Sequence, residues 1–238
     1  MNISALFSKS WQVYRQQFPL IFVVVAVVWI PFDLLIGYMD VFVFSPDEFL
    51  RSYRFARSIE NTVGLVCVGA VIQMTVASRG GETVNFSNAM STSLRLWGWM
   101  FWTRLLTNLA IVLGFLALVI PGVYLAVRLA GASQVVIAER HFGTEAMRRS
   151  FALTRGHFWP VFLAGVSIYF IFIAAIAFVN LPLFFISVFE HWVMQGIVGF
   201  VMHLCYAFVT IAFTELYLDL KAQEAAVLAV APSEATVQ

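Results

Sequence analysis

The sequence has 238 residues, of which 61% are hydrophobic and only 11% are charged, and its formal net charge is +1. Water-soluble domains carry about 25% charged residues, so this chain lacks the polar residues that would cover a water-soluble fold. The small net charge creates no overall field that would attract nucleic acid, and we expect no nucleic-acid partner. Composition therefore predicts an all-α integral membrane protein, folded as a helical bundle in contact with membrane lipids.

The N-terminal region predicts a first transmembrane helix that is retained. Lys9 and Arg15 precede an apolar run at 18–38, an arrangement that secretory signal peptides share. The run continues past Pro31, however, and no small-x-small cleavage site follows it. These features favour a helix that stays in the membrane.

Six apolar runs are long enough, or nearly so, to cross the bilayer, since about 20 helical residues span about 30 Å of hydrocarbon. Helices are expected because a backbone in lipid must satisfy its own hydrogen bonds. The predicted spans are 18–38, 60–78, 99–120, 122–138, 158–178 and 193–218. The third and fourth spans are predicted to form a hairpin with its turn at Pro121-Gly122, because proline removes a donor and glycine allows a positive φ.

Basic residues are distributed unevenly between the two ends of these spans. One end, which includes both termini, holds Lys9, Arg15, Arg79, Arg95, Arg104, Arg140, Arg148, Arg149, Arg155 and Lys221. The other holds Arg51, Arg54 and Arg57, offset by Asp40, Asp47, Glu48, Glu60 and Glu190. The positive-inside rule then places both termini in the cytoplasm. We expect one transmembrane domain at 1–221 and a disordered cytoplasmic tail at 222–238.

A threefold internal repeat, at about 1–80, 84–140 and 144–221, is the most informative pattern. Its aligned positions include Ser4, Ser87 and Thr144, then Ser10, Ser93 and Ser150, then Phe18, Phe101 and Phe158. The first set has the residue types of helix N-caps. Each copy is predicted to begin with an amphipathic helix in the headgroup region, at 4–17, 87–98 and 144–156, and to continue as a hairpin. The amphipathic faces either pack on the bundle or bind lipid or a partner protein.

Two stretches and the end of the last span carry a recognisable pattern. They are IPGVYLAVR at 120–128, EAMRRSFALTRG at 145–156 and LYLDLK at 216–221. The chain resembles the membrane domain associated with glycerophosphoryl diester phosphodiesterases, and related uncharacterised bacterial six-span proteins. Some members of that family carry a phosphodiesterase barrel, which these residues do not contain. The resemblance therefore implies a bacterial membrane protein of unknown function, and the family name does not assign an activity to this chain.

Arg128 and Asp33 are the charges placed deepest in the predicted spans. A charge at the centre of a membrane helix costs roughly 3 kcal/mol unless it is paired or reaches the interface. We predict an ion pair between them, with Tyr124 and Glu139 on the same helical stripe as Arg128. The alternatives are a ligand or lipid-headgroup site and a proton or ion relay.

The loop at 139–157 combines a basic cluster with turn residues. Arg140, Arg148 and Arg149 suit anionic lipid headgroups, although topology alone would also account for them. The remaining motif residues of this loop, expected to shape the turn into the fifth span, are Ser150, Arg155 and Gly156.

No pattern of catalytic, phosphate-binding or metal-binding residues is present, so we predict no cofactor, no metal and no enzymatic activity. Isolated amides are expected to bond between helices, at Gln73, Asn108, Gln134 and Asn180. The predicted function is a non-catalytic membrane protein that organises lipids or protein partners of unknown identity. The alternatives are a small-solute transporter or channel, and an accessory to lipid or phosphodiester metabolism.

Overall fold

The computed structural model describes residues 2–83, 85–184 and 192–234. Within these ranges the chain is helical apart from short connections, and it forms no strand. The helices are α1 Ile3–Phe42, α2 Phe49–Thr62, α3 Gly64–Arg79, α4 Phe86–Ala117, α5 Val119–Arg128, α6 Ala132–Glu139, α7 Thr144–Leu153, α8 Phe158–Phe184 and α9 Trp192–Glu234. Glu190, one of the acidic residues considered in the sequence, lies outside the described residues.

Six helical segments of the described chain are long and apolar enough to cross a membrane, which confirms the predicted fold class. They are Ile3–Phe42, Phe49–Arg79, Phe86–Ala117, Val119–Glu139, Phe158–Leu181 and Gly196–Ala229. Large apolar side chains on these segments are widely exposed, reaching 81% for Ile120 and 80% for Phe178. Exposed apolar surface of this extent is typical of a face that meets lipid.

The hairpin turn between α4 and α5 lies at Leu118, three residues before the predicted position. Leu118 is fully extended (φ −167°, ψ 158°) and separates the two helices. Pro121 falls in the first turn of α5, where a missing backbone donor costs nothing because those donors have no helical acceptor. The predicted break at Pro121-Gly122 was therefore wrong, since proline here starts a helix instead of ending one.

Gly122 serves close packing and not a turn. It is helical, and a Cβ atom at this position would lie 2.4 Å from the Phe115 ring. The α4–α5 hairpin can therefore close tightly only because this residue has no side chain. The positive φ angles among described glycines occur at Gly81, Gly143 and Gly156.

The predicted N-caps were also wrong by one or two residues. Asn2 caps α1 by accepting from the Ser4 amide, and Asn85 caps α4 by accepting from the Asn88 amide. The third helix of the set, α7, begins after Gly143 without a side-chain cap. Asparagine is as good a cap as serine, so residue type alone could not choose between neighbouring candidates.

The three segments predicted to be interfacial helices differ in their ends. The first two continue without a break into the transmembrane parts of α1 and α4, whereas α7 is separate and ends before α8. The aligned serines of the three segments are all buried. Ser93 donates to the carbonyl of Val66 and Ser150 to that of Arg128, while Ser10 donates within its own helix. These contacts tie two of the segments to the preceding span; the repeat itself stays a prediction.

The region after residue 221 continues as helix. Where the sequence led us to expect a disordered tail from 222, α9 runs to Glu234, and residues 235–238 lie outside the described chain. Alanine is frequent in this stretch and favours helix. Glu224 also bonds to Arg149, which attaches the first turn of the extension to α7.

The bundle is organised around α9. The long α1 helix lies antiparallel to α9, with contacts from Lys9–Asp219 at one end to Asp33–His203 at the other. The α3 helix packs against both. On the opposite side α8 packs along α9, while the α4–α5 hairpin meets α8 where Tyr124 stacks on Phe158. A space between the hairpin and the α8–α9 pair results from this arrangement.

Candidate functional site

A charged cluster joins three helices at the end of the bundle where the termini lie, which we call the terminal end. Arg79 of α3 binds both Glu215 and Asp219 of α9, with 2.7 Å to the Asp219 carboxylate. Lys9 of α1 binds Asp219 at 3.1 Å. Glu215 is completely buried, so Arg79 is the partner that makes its burial possible. This cluster fixes helix positions.

A second cluster centres on Arg149 of α7. Arg149 bonds to Glu139 at 2.7 Å and to Glu224 at 2.7 Å. The two carboxylates raise the pKa of the Arg149 guanidinium above its ordinary value. Tyr217 and Lys221 complete the cluster by bonding Glu139 at 2.7 and 3.3 Å. Glu139 is therefore paired with Arg149 and not with Arg128, and the assignment of Arg149 to a lipid headgroup stays a prediction.

The other residues of the basic loop have separate roles. Arg140 and Arg148 are exposed, so their assignment to lipid headgroups stays a prediction. Arg140 adopts a left-handed conformation (φ 59°) that ends α6. Gly156 (φ 80°) shapes the turn into α8 as expected, next to the exposed Arg155. Ser150 instead connects this loop to the fourth span, accepting from the Gly131 amide at 3.2 Å.

Arg128 is stabilised by aromatic rings and not by Asp33. Its guanidinium carbon lies 4.1 Å from the centre of the Phe151 ring and 5.5 Å from that of Tyr124. A cation facing a ring is attracted by the negative face of its π-system. No ion pair between Arg128 and Asp33 exists in the structure, so the predicted pair was wrong.

Asp33 is paired with His203 of α9. Its Oδ1 atom lies 3.2 Å from His203 Nε2, and the imidazole stacks on Trp29 with ring centres 3.5 Å apart. The other carboxylate oxygen of Asp33 is buried without a hydrogen-bond partner. Gly199 admits this carboxylate, because a Cβ there would lie 3.0 Å from Oδ1. Sequence spacing could not reveal a partner 170 residues away.

A polar cavity of about 520 Å³ lies beside this pair. Its walls include Trp29 and His203, the Arg57–Glu60 ion pair and the side chains of Arg104 and Tyr169. Glu60 balances the charge of Arg57, and Asp33 faces His203. Arg104 is left as the unbalanced cation in this wall.

A second space, the lateral cleft, shares Arg104, Tyr169 and Tyr206 with the polar cavity and has a volume of about 620 Å³. It lies between the α4–α5 hairpin and the α8–α9 pair. Several of its walls are exposed, among them Phe170 at 72% and Val166 at 50%. The cleft therefore opens sideways, toward the space that lipid fills around a transmembrane bundle. Its apolar lining includes Ile111, Phe115, Val123, Phe162, Val166 and Phe170.

Polar side chains form one part of the cleft, which we call the polar floor. It consists of Arg104, Thr107 and Asn108 of α4 with Ser133 and Gln134 of α6. The three α4 residues lie three and four positions apart, a spacing that brings them to one helix face. The Oγ1 atom of Thr107 and the Oε1 atom of Gln134 are buried without any hydrogen-bond partner. Buried polar atoms are nearly always bonded, so the floor has unused hydrogen-bonding capacity.

Arg104 makes no hydrogen bond or ion pair with any residue in the described part of the chain, and its side chain is half-buried. Its neighbour Thr103 accepts from the amide of Gly143, in the loop between α6 and α7, at 2.8 Å. Arg104 itself lines both the lateral cleft and the polar cavity beside the Asp33–His203 pair. A cation at this position needs a counter-charge that the surrounding protein does not supply.

Sequence reasoning missed this site for identifiable reasons. Arg104 was counted with the loop residues, although it lies inside the apolar run at 99–120 and could have been noticed there. Asn108 and Gln134 were expected to bond between helices, but neither does so among the described residues, and Asn180 bonds within its own helix. The signal that was available is the helical spacing of Arg104, Thr107 and Asn108.

No group of three or more histidine, cysteine, aspartate or glutamate side chains is placed to hold a metal ion within the described chain. In comparisons with known proteins, no family model, curated protein sequence or solved structure matches this chain. The family resemblance in the sequence stays a prediction.

We predict that Asp33 is energetically coupled to His203 and independent of Arg128. In a double-mutant cycle, Asp33→Leu with His203→Leu should show a coupling energy of about 0.5–3 kcal/mol, because each single change leaves one buried partner unpaired. Asp33→Leu with Arg128→Leu should be additive within about 0.5 kcal/mol. Unfolding in detergent, followed by circular dichroism, measures both. Coupling of Asp33 to Arg128 instead would contradict the contacts described above.

Proposed function

We propose that this chain is a non-catalytic integral membrane protein that binds a lipid molecule in the lateral cleft. The observation that carries the proposal is the combination of apolar walls with a polar floor in one space that opens sideways from the bundle. Ligand sites usually have volumes of about 300–1,000 Å³ and mostly apolar linings with a few polar groups. The cleft, at about 620 Å³, fits that description.

A lipid suits this space better than a water-soluble solute does. Its acyl chain would contact walls such as Phe170 and Val166, which are exposed on the side of the bundle. Its headgroup would meet Arg104 and Gln134, whose hydrogen-bonding capacity is unused. A solute surrounded by water would leave the apolar walls facing water, which costs free energy in proportion to their area.

A transporter of small solutes is the second candidate. The polar cavity favours it, because this space of about 520 Å³ shares lining residues with the cleft and is lined by His203, the partner of Asp33. Transporters place their substrate and ion sites on discontinuous helices near the middle of the membrane. The break between α5 and α6 at residues 129–131 is such a discontinuity, but Ser150 binds its backbone at both sides.

For its location we propose the inner membrane of a bacterial cell, with both termini in the cytoplasm. The excess of lysine and arginine near the termini and connected loops supports this orientation. Several of these cations, such as Arg79 and Arg149, also have acidic partners in the structure. Exposed Arg140 and Arg148 remain available to anionic lipid headgroups at that surface.

Blocking the cleft should prevent lipid retention. We predict that protein purified in mild detergent carries bound lipid, detected by native mass spectrometry, and that Val166→Trp removes it because the indole fills the cleft. Leu163→Trp is the matched control: both residues are on α8 and each is 50% exposed, but Leu163 does not line the cleft. Equal lipid retention by both variants would refute the proposed site.

The proposed orientation, with both termini in the cytoplasm, can be tested with reporter fusions. Reporter fusions after Arg79, Arg140 and Lys221 should all show cytoplasmic activity, because each of these residues belongs to the basic end of the spans. A fusion within the connection between α1 and α2, after Asp47, should show the opposite location. A periplasmic signal from any of the first three fusions would contradict the proposed orientation.

A further inference from the structure

The charge and the hydrogen-bonding groups of the polar floor indicate which class of lipid headgroup the cleft would bind. Arg104 contributes a positive charge with no acidic partner in the described chain. Thr107 and Gln134 contribute buried oxygen atoms with no donor. A ligand that satisfies Arg104 and the Gln134 amide oxygen presents an anionic group and a hydrogen-bond donor, while the Thr107 hydroxyl can accept from the donor or donate to the anion.

From this pattern we infer that the lateral cleft selects an anionic lipid whose headgroup also donates hydrogen bonds, with the acidic group on Arg104 and the donor on Gln134 and Thr107. The inference rests on the proposed function and names its ligand class. Arginine suits the role because its guanidinium presents several fixed donors to a phosphate or carboxylate. Gln134 suits its role because only 5% of the residue is exposed, so water gives it little competition.

The other charges near the cleft support an anion and not a zwitterion. In the adjoining polar cavity Arg57 is neutralised by Glu60, and His203 faces Asp33. No acidic side chain belongs to the lining of the cleft that could hold the ammonium of a zwitterionic headgroup. A lipid with a positive group would place that group near Arg104 without compensation, which like-charge repulsion disfavours.

The apolar walls also set the direction that a bound acyl chain would take. Thr103, next to Arg104, bonds to the backbone of Gly143 in the α6–α7 loop. The apolar walls at Phe115 and Val123 lie farther along the hairpin, toward its turn at Leu118. A lipid with its head on the floor would direct its chain along those walls.

The test measures binding of three probe lipids to the full chain in detergent by native mass spectrometry. Phosphatidylglycerol carries a negative charge and hydroxyl donors, phosphatidylmethanol carries the charge alone, and phosphatidylcholine is zwitterionic. We expect phosphatidylglycerol to bind most tightly and phosphatidylcholine about tenfold or more weakly, since choline adds a cation near Arg104 and offers no hydrogen-bond donor to Gln134. Phosphatidylmethanol should fall between them.

Variants then assign the preference to residues. Arg104→Gln should reduce the preference for phosphatidylglycerol over phosphatidylcholine at least several-fold, and Arg104→Lys should keep part of it. Gln134→Leu should remove the difference between phosphatidylglycerol and phosphatidylmethanol. Arg95→Gln is the control, because Arg95 is an exposed cation of the same helix outside the cleft.

The outcomes separate this inference from the proposed function. Equal binding of all three lipids by the unaltered chain, still blocked by Val166→Trp, would overturn the headgroup assignment and leave the lipid site standing. Absence of any bound lipid would overturn both. Competition by soluble glycerol phosphate as strong as that by phosphatidylglycerol would show that the floor serves a soluble anion, which also contradicts the inference. The lipid comparison on the unaltered chain decides the matter even where an Arg104 variant does not fold.

Discussion

The ion pair between Arg79 and the buried Glu215 is the contact on which the arrangement of the bundle depends. A carboxylate that is completely buried is costly unless a cation accompanies it. Here the cation comes from α3, while Lys9 of α1 binds Asp219 one turn farther along α9. Three helices are thereby joined at one end. These three helices form one side of the bundle. The α4–α5 hairpin contacts α8 only over a short region, and the lateral cleft lies next to that contact.

The same rule of charge satisfaction makes Arg104 informative. Elsewhere in the described spans, buried charges have a partner: Arg128 faces aromatic rings, Asp33 faces His203, and Glu215 binds Arg79. Arg104 has none among the described residues, and the Thr107 and Gln134 side-chain oxygens in the same space are also unpartnered. Under the proposed function, the headgroup of a bound lipid would supply the missing partners. The structural and functional roles of charge in this chain are thus divided between different residues.

The sequence was sufficient for features that depend on composition and on runs of residues. Six spans and an all-α fold follow from apolar runs, and the structure confirms both. It was insufficient where a choice depended on three-dimensional proximity. Arg128 and Asp33 were predicted to pair because both are charged and lie in apolar runs. In the folded chain Asp33 instead contacts His203, 170 residues away. Gly122 was assigned to a turn from its backbone freedom, whereas contact with Phe115 explains it.

The claim that the lateral cleft is a lipid space and not a water path can be measured directly. A nitroxide spin label at Val166, in a chain with both native cysteines replaced, reports collisions with oxygen, which concentrates in lipid, and with a water-soluble nickel chelate. Labels at lipid-facing Leu163 and at exposed Glu82, in the loop after α3, calibrate the two extremes. The account predicts that the Val166 label relaxes with oxygen and not with nickel, as the Leu163 label does. Nickel relaxation equal to that at Glu82 would contradict it and favour a pathway for soluble solutes.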